Sequence, residues 1–355
     1  MKRKSQNMIK YIIKRVLFMI PMLLAVLIFT WLLSHLMSVN PVVNRIGFTL
    51  DPAVYERELR RIGYYDPWYV QLGIYLRNFF MGDWGESYIV LPDKSVTEII
   101  GIIFPRTIEL MIFPIVIVPI IAVKLGVLSA KSKNTSKDVI IRLVAIIGAG
   151  FPVFWVATLL QRLVGVLIRN FTYGVINIEV VFSNSPNLPS PVPPGGFSTG
   201  FRIIDSFLYN DQAYLWDTLI HLLLPAISMT FVSLAGITRL TRSSMLEVMD
   251  QDYIRTARAK GVLEKDVINR HALRNALIPT SNLIIGGIAT GLLGSLFVEV
   301  TFNYRGFGYY MVQAIFTGDY LVINGLLVFA TIIILTGTLT ADVMYTIIDP
   351  RIVYR

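Results

Sequence analysis

The sequence predicts an all-α integral membrane protein with six transmembrane helices. Three observations predict it. The 355 residues are 54% hydrophobic and 15% charged, with a mean hydropathy of +0.62; a soluble domain carries about a quarter charged residues. Six apolar stretches each approach the roughly 20 residues that cross a hydrocarbon core. Basic residues gather in alternate connections between those stretches, the pattern of cytoplasmic loops.

The first span is residues 11–34, apolar apart from Lys14 and Arg15. Lys2, Arg3, Lys4 and Lys10 precede it, which looks superficially like a secretory leader. The run is too long for a leader core and no small-residue cleavage site follows, so a retained first helix is expected. The next spans are 107–130, 139–161, 217–240, 280–301 and 320–347. Pro114 and Pro119 in the second, Pro152 in the third and Pro225 in the fourth each remove a helix hydrogen bond, so kinks are expected there. Span five carries Gly286, Gly287, Gly291 and Gly294. Gly287 and Gly291 form a GxxxG pair, which suits close helix packing and equally a moving seam that lines a pathway.

The N-terminus, the short connection with Lys131, Lys133 and Lys137, and the segment after span four are basic and fall on one side if the spans alternate. That side is cytoplasmic, and both termini lie on it. The connections 35–106 and 168–216 then face outside. The first holds eight acids against seven bases, and the second has Arg169 and Arg202 as its only bases. Residues 184–196, NSPNLPSPVPPGG, predict extended irregular backbone. A passive linker and a partner-contacting surface both fit.

Several function classes are excluded. The net charge of +9 is dispersed among the spans, which fits cytoplasmic loops and not nucleic-acid binding. The chain has no Cys, and His35, His221 and His271 show no metal-ligand spacing. No GxxxxGK[ST], HExxH or GxSxG motif appears, so no catalysis is read in this chain. No ionisable residue sits at the middle of a span. Lys124 and Arg142 lie near inner ends, Glu109 and Glu299 near outer ends, Asp342 near the inner end of span six. A carrier driven by protons or sodium usually needs such residues, so a stand-alone secondary transporter or channel is the weaker reading.

Residues 252–279, DYIRTARAKGVLEKDVINRHALRNALIP, hold nine charged residues between two long apolar segments. Asp252 is expected to N-cap a short helix over 253–260, and Gly261 to end it with positive φ. A second helix starts near Glu264 and leads through His271 and Arg274 to Pro279, which opens span five. Tyr253, Ala257 and Lys260 with Gly261 share one face of the first helix. Small Ala257 and Ala259 allow close approach, and Arg255, Arg258 and Lys260 offer charge to a partner. A solvated basic loop fits the same pattern.

Here the sequence resembles a known family, the permeases of ABC importers. The resemblance is to the oligopeptide/dipeptide/nickel branch and its first, B-type subunit. The family's loop reads D-Y-[IV]-R-T-A-R-A-K-G and later H-A-L-R-N-A-L-I-P. This chain has Asp252, Tyr253, Ile254, Arg255, Thr256, Ala257, Arg258, Ala259, Lys260 and Gly261, then His271, Ala272, Leu273, Arg274, Asn275, Ala276, Leu277, Ile278 and Pro279. Further matches are Gly63, Asp66, Pro67 and Gln71; Gly82, Asp83, Gly85 and Ser87; His221, Leu224, Pro225 and Ala226. Near the C-terminus they are Phe302, Asn303, Gly306 and Gly308, then Asp319, Tyr320, Asp342, Tyr345, Asp349, Pro350 and Arg351. The chain departs from the broader superfamily at Arg255, where that loop has an acid, and at Arg274, where it has a proline.

The resemblance implies a type I ABC-importer permease in the cell membrane. Residues 1–34 would be the cytoplasmic N-terminus and first helix, 35–106 an outer loop region, and 107–355 the core of five helices. That core would include the outer loop 168–216 and a cytoplasmic coupling loop, 241–279. The partners implied are a second permease subunit, two cytoplasmic ATPase subunits and an extracellular solute-binding protein. ATP and Mg would be bound by the ATPases, with no cofactor or metal in this chain. Asp252, Tyr253, Arg255, Thr256, Ala257, Arg258, Ala259, Lys260, Gly261, His271, Arg274 and Asn275 would form the ATPase-docking surface. Gly286, Gly287, Gly291 and Gly294 would line the pathway. The substrates expected are di- and oligopeptides, with oligosaccharides or nickel as alternatives.

Overall fold

The computed structural model describes residues 2–36, 56–57, 59–60, 63–171, 185, 188–193 and 195–348. Asn184, parts of the proline-rich stretch, and Asp349, Pro350 and Arg351 lie outside the described residues. The helices in chain order are α1 Lys2–Leu36, α2 Trp68–Phe80, α3 Val96–Lys131, α4 Ser136–Gly150, α5 Val153–Phe171 and α6 Arg202–Leu208. They continue with α7 Gln212–Met249, α8 Asp252–Ala259, α9 Glu264–Asp266, α10 Leu273–Thr301, α11 Phe307–Thr317 and α12 Tyr320–Ile348. A π-helix, Val267–Ala272, joins α9 to α10. Among the described residues the only β-type pairing is an isolated bridge between Glu86 and Ser95.

Among the described residues four helices are long and apolar enough to cross a membrane: 10–36 of α1, α3, α7 and 320–344 of α12. The third predicted span is not one rod. It is α4 and α5, bent by 106° at Phe151 and Pro152. Phe151 is extended at φ −105°, ψ 138°, and the Pro152 carbonyl accepts from the Trp155 and Val156 N–H groups to start α5. The helices run on through Pro114, Pro119 and Pro225. The predicted kink at Pro152 is therefore a break. α10, with 29 residues, covers the predicted fifth span; at 1.5 Å per residue it extends about 44 Å.

The chain divides into two units, residues 1–104 with 309–336 and residues 105–308 with 337–353. In unit one, α1 packs on α2. Thr30 Oγ1 lies 3.3 Å from the Tyr75 hydroxyl, and His35 Nε2 lies 2.7 Å from Gln71 Oε1. Asp319, just before α12, is fully buried and its Oδ2 accepts four bonds: Ser87 Oγ at 2.6 Å and the N–H groups of Tyr88, Ile89 and Val90 at 3.1–3.2 Å. This pins segment 87–90 across 232 residues of sequence. In unit two α7 is the hub, packed against α4, α5, α6 and α10. Leu110, Leu222, Val298, Phe302 and Tyr304 form its core. A Cβ on Gly126 would come within 2.5 Å of Thr241 Cβ, so only glycine lets α3 approach α7 there. Apolar side chains such as Ile140 and Ile146 of α4 point outward, as a surface solvated by lipid or by another membrane chain requires.

Candidate functional site

The charged segment after span four folds as a hairpin on the end of unit two. Gln251, extended at φ −73°, ψ 149°, precedes α8 and no side chain caps it. Asp252 is therefore not the N-cap. It is the first helical residue, where a carboxylate suits the positive end of the helix, and its Oδ1 lies 3.4 Å from Arg255 Nη1. Thr256 Oγ1 donates to the Asp252 carbonyl at 3.0 Å.

Lys260 caps the C-terminus and Gly261 takes φ +77°, as its position predicts. The Gly261 N–H donates to Arg258 O and the Val262 N–H to Ala257 O, a Schellman arrangement that satisfies two end carbonyls. A residue with a branched Cβ would be strained at this φ whatever the space around it.

The buried face of α8 is Ile254 with Ala257. Ile254 is 0% exposed and packs with Met245 of α7, Ala130 of α3, Val267 and Ile268 of the π-helix, and Ala276 of α10. Residue 254 points inward because an apolar side chain gains from burial. Tyr253 is exposed, and its hydroxyl accepts from Asn275 Nδ2 at 2.9 Å, which ties the start of α8 to α10.

Outward lie Arg255, Arg258, Ala259, Lys260, His271 and Arg274. Arg258 grips Glu264 with two bonds, 3.1 and 2.9 Å. That bidentate contact holds the Glu264 carboxyl below the usual carboxylate range and raises the Arg258 guanidinium. Leu263, 73% exposed just past the glycine corner, was not singled out from the sequence. The only sequence signal was a large apolar residue in a polar turn. Pro279 does not open span five. It lies inside α10, and the wide π turn before it, closed by the Leu273 N–H on Ile268 O, carries the chain from the hairpin into that helix.

A second feature missed from sequence seats the neighbouring loop. Asp138, first turn of α4, is fully buried. It accepts Arg242 Nε at 2.8 Å and Nη2 at 2.9 Å, Ser129 Oγ at 2.6 Å and the Asn134 N–H at 3.0 Å. Arg142, which lies near the inner end of its predicted span, has its Nε 3.5 Å from the same carboxylate. The ends of α3, α4 and α7 are joined in one charged clasp.

Towards the middle of unit two, α3, α7 and α10 line a small open groove of about 80 Å³. Pro114 and Pro119, Met229 and Ser233, and Gly287 and Gly291 line it. Gly286 and Gly294 do not. Among the described residues, a Cβ on Gly291 would touch only the flexible Met111 Cε, and one on Gly286, Gly287 or Gly294 would meet nothing within 4 Å. Those three glycines therefore do not serve close packing against the described residues. At the opposite end, Glu299 accepts from Thr107 Oγ1 at 2.7 Å, Glu109 Oε1 accepts the Ile203 N–H at 2.7 Å, and Arg202 lies over the Tyr304 ring. These contacts seat α6 of the 168–216 segment. Ser185 Oγ and N–H donate to Asp217.

The family described as "Binding-protein-dependent transport system inner membrane component" matches residues 122–354. A dipeptide transport system permease protein of Alkalihalophilus pseudofirmus is 35% identical over 350 residues, 98% of this chain and 100% of the relative. An oligopeptide transport system permease protein of Bacillus subtilis is 35% identical over 347 residues, with the same coverage. A dipeptide transport system permease protein of Escherichia coli is 32% identical over 353 residues, 98% of this chain and all of the relative. The chain belongs to this family of inner membrane transport components.

Proposed function

We propose that this member of the family is one of two permease subunits of an ATP-driven importer for di- and oligopeptides, and that the α8 hairpin is where ATPase subunits push. The peptide reading rests on the relatives, which are named for dipeptide and oligopeptide transport over nearly the whole chain. The coupling reading rests on one observation: α8 presents its charges outward while Ile254 and Ala257 seat it on α3, α7 and α10. A force on its outer face reaches three long helices at once. Asp252, Tyr253, Arg255, Thr256, Ala259, Lys260, His271 and Arg274 form the contact face, with Leu263 at its tip; Gly261, Arg258 and Asn275 keep the hairpin rigid.

In this reading both termini and the hairpin are cytoplasmic, and a solute-binding protein delivers peptide on the opposite side. The partner ATPases hold ATP and Mg, and this chain carries no catalytic group. Their closure moves α8, and α7 and α10 carry the motion to the groove lined by Gly287 and Gly291. The unfilled space beside Gly287 supports a pathway or a seam with the second permease. Purification of the tagged chain from its own membrane in mild detergent tests the assembly. Recovery of a second permease and phosphate-loop ATPases is expected. The chain alone, under conditions that keep other membrane complexes whole, would overturn it.

A further inference from the structure

From the sequence, α2 falls in the outer connection 35–106. The structure instead ties it to the apolar length of α1. His35 Nε2 lies 2.7 Å from Gln71 Oε1, and Thr30 Oγ1 lies 3.3 Å from the Tyr75 hydroxyl. Tyr75 is one turn beyond Gln71 in α2, whereas Thr30 precedes His35 by five residues in α1. α2 therefore runs back alongside α1, from the C-terminal end of that span towards its middle. Five residues of α1 correspond to about 7.5 Å. A second apolar helix gives the same level. Trp84, just past α2, donates its Nε1 hydrogen to the Phe79 carbonyl at 3.2 Å. Its ring lies 3.5 Å from the Cβ that Gly325 lacks, and Gly325 is five residues past Tyr320, where α12 starts.

α2 has no buried residue. Gln71 and Tyr75 mark the face seated on α1, and the described residues leave the opposite face uncovered. That face carries Tyr69, 61% exposed, Ile74, 40%, and Phe80, 64%. Its one charged residue is Arg77, whose long stem can lie on apolar surface with the guanidinium among lipid phosphates. At the first end of α2, Tyr64, Tyr65, Trp68 and Tyr69 are all exposed. Gln71 Nε2 donates to the Tyr64 and Asp66 carbonyls at 3.0 and 2.8 Å, which holds this aromatic group at the level of His35. Tyr and Trp gather where hydrocarbon meets headgroups. Asp83, tied to the Gly85 N–H at 3.1 Å, sets the limit of depth, because a charge is costly further in.

We infer that α2 is an interfacial helix. Its Tyr69, Ile74 and Phe80 face enters the lipid leaflet at the C-terminal end of α1, and the aromatic group 64–69 stands among the headgroups. The occupant is the lipid surface, continuous with the lipid around α1. A protein partner would bury about 800 Å² on each side. One face of this helix, about 20 Å by 10 Å, is far smaller. The inference uses unit one alone and does not depend on the importer reading.

The chain has no Cys, so Ile74→Cys, Phe80→Cys and Lys133→Cys each carry a single nitroxide. The chain, purified from its own membrane with whatever accompanies it, is placed in nanodiscs of phosphatidylglycerol and phosphatidylethanolamine. Electron paramagnetic resonance reads collisions with oxygen, which concentrates in lipid, and with a water-soluble nickel chelate. Nitroxide phospholipids supply the depth scale. Lys133, in the turn between α3 and α4, is exposed and serves as the water reference. The oxygen-to-nickel ratio at positions 74 and 80 is expected to be at least about threefold higher than at 133, at a depth just below the headgroups. A ratio equal to that at 133 places α2 in water and overturns the inference. Exclusion of both probes from an immobilised nitroxide reveals a protein on this face and overturns it as well. Both positions are exposed and are read separately, with unchanged thermal unfolding as the control, so a variant that fails to fold leaves the other to decide.

Discussion

Asp138 and Ile254 each anchor a loop of unit two to the same helix, α7, and do so with opposite chemistry. Asp138 holds the turn between α3 and α4 through Arg242, Ser129 and the Asn134 N–H. Ile254 seats α8 beside Met245, three residues along α7, through apolar contact alone. Directional bonds to a buried carboxylate specify one geometry and lose much of their energy when displaced. Apolar contact is non-directional and tolerates sliding. The same division recurs elsewhere: Asp319 pins segment 87–90 and Glu109 pins the start of α6. The hairpin assigned to coupling is the exception. Its own acids, Asp252 and Glu264, are exposed. A loop that must move as a body while partners cycle is better served by such a seat than by a clasp.

The largest expected effect breaks the clasp. Arg242→Met leaves Asp138 buried without its main partner, which costs about 3–5 kcal/mol. Thermal unfolding in detergent should show it, and the double variant with Asp138→Asn should recover more than half. A single variant as stable as the wild type would remove the distinction between the two loops.

Next is the seat. Ile254→Ala removes a fully buried side chain, for which about 2–5 kcal/mol is typical. Hydrogen exchange should quicken across 252–260 while 129–142 stays protected. Equal quickening in both segments would mean that the loops are one cooperative body.

The glycine corner comes third. At φ +77° Gly261→Val should cost about 1–3 kcal/mol, whereas Gly261→Asn, which tolerates this region, should keep most function. The reading is peptide uptake per ATP hydrolysed in proteoliposomes. An unchanged ratio in the valine variant defeats the rigid-lever idea.

The smallest effect is at the hairpin's outer pair. Arg258 and Glu264 are both more than a third exposed, so Arg258→Ala should change stability by less than about 1 kcal/mol. The pH dependence has a definite sign. The folded Glu264 carboxyl is held low by Arg258, so its contribution is present above the ordinary glutamate range and lost as pH falls through the lowered folded value. Hairpin protection should be flat from pH 6 to 8 and decline only in acid, by about this small amount. A loss centred near neutrality would show that this pair does not set the pH dependence.

Much of the site was legible because its signals are local. A positive-φ corner at Gly261 follows from a helix end, and the nine charges of 252–279 could not sit in lipid. The helix start was placed one residue late, since Asp252 suits both the cap and the first turn. Asp138 went unremarked because its neighbours Lys131, Lys133 and Lys137 made the loop read as basic. Its partner is 104 residues away. Asp319 likewise answers to Ser87 across 232 residues.

The sequence by itself determined that the chain lives in a membrane and which loop carries charge, because desolvation acts on each residue whatever its neighbours. Only the tertiary structure decided that span three breaks by 106° at Pro152, that Ile254 and not Tyr253 faces inward, and that the buried carboxylates Glu109, Asp138, Asp205, Glu299 and Asp319 find their donors. Those outcomes depend on which groups meet, and one-dimensional periodicity does not record which partner a buried charge will find.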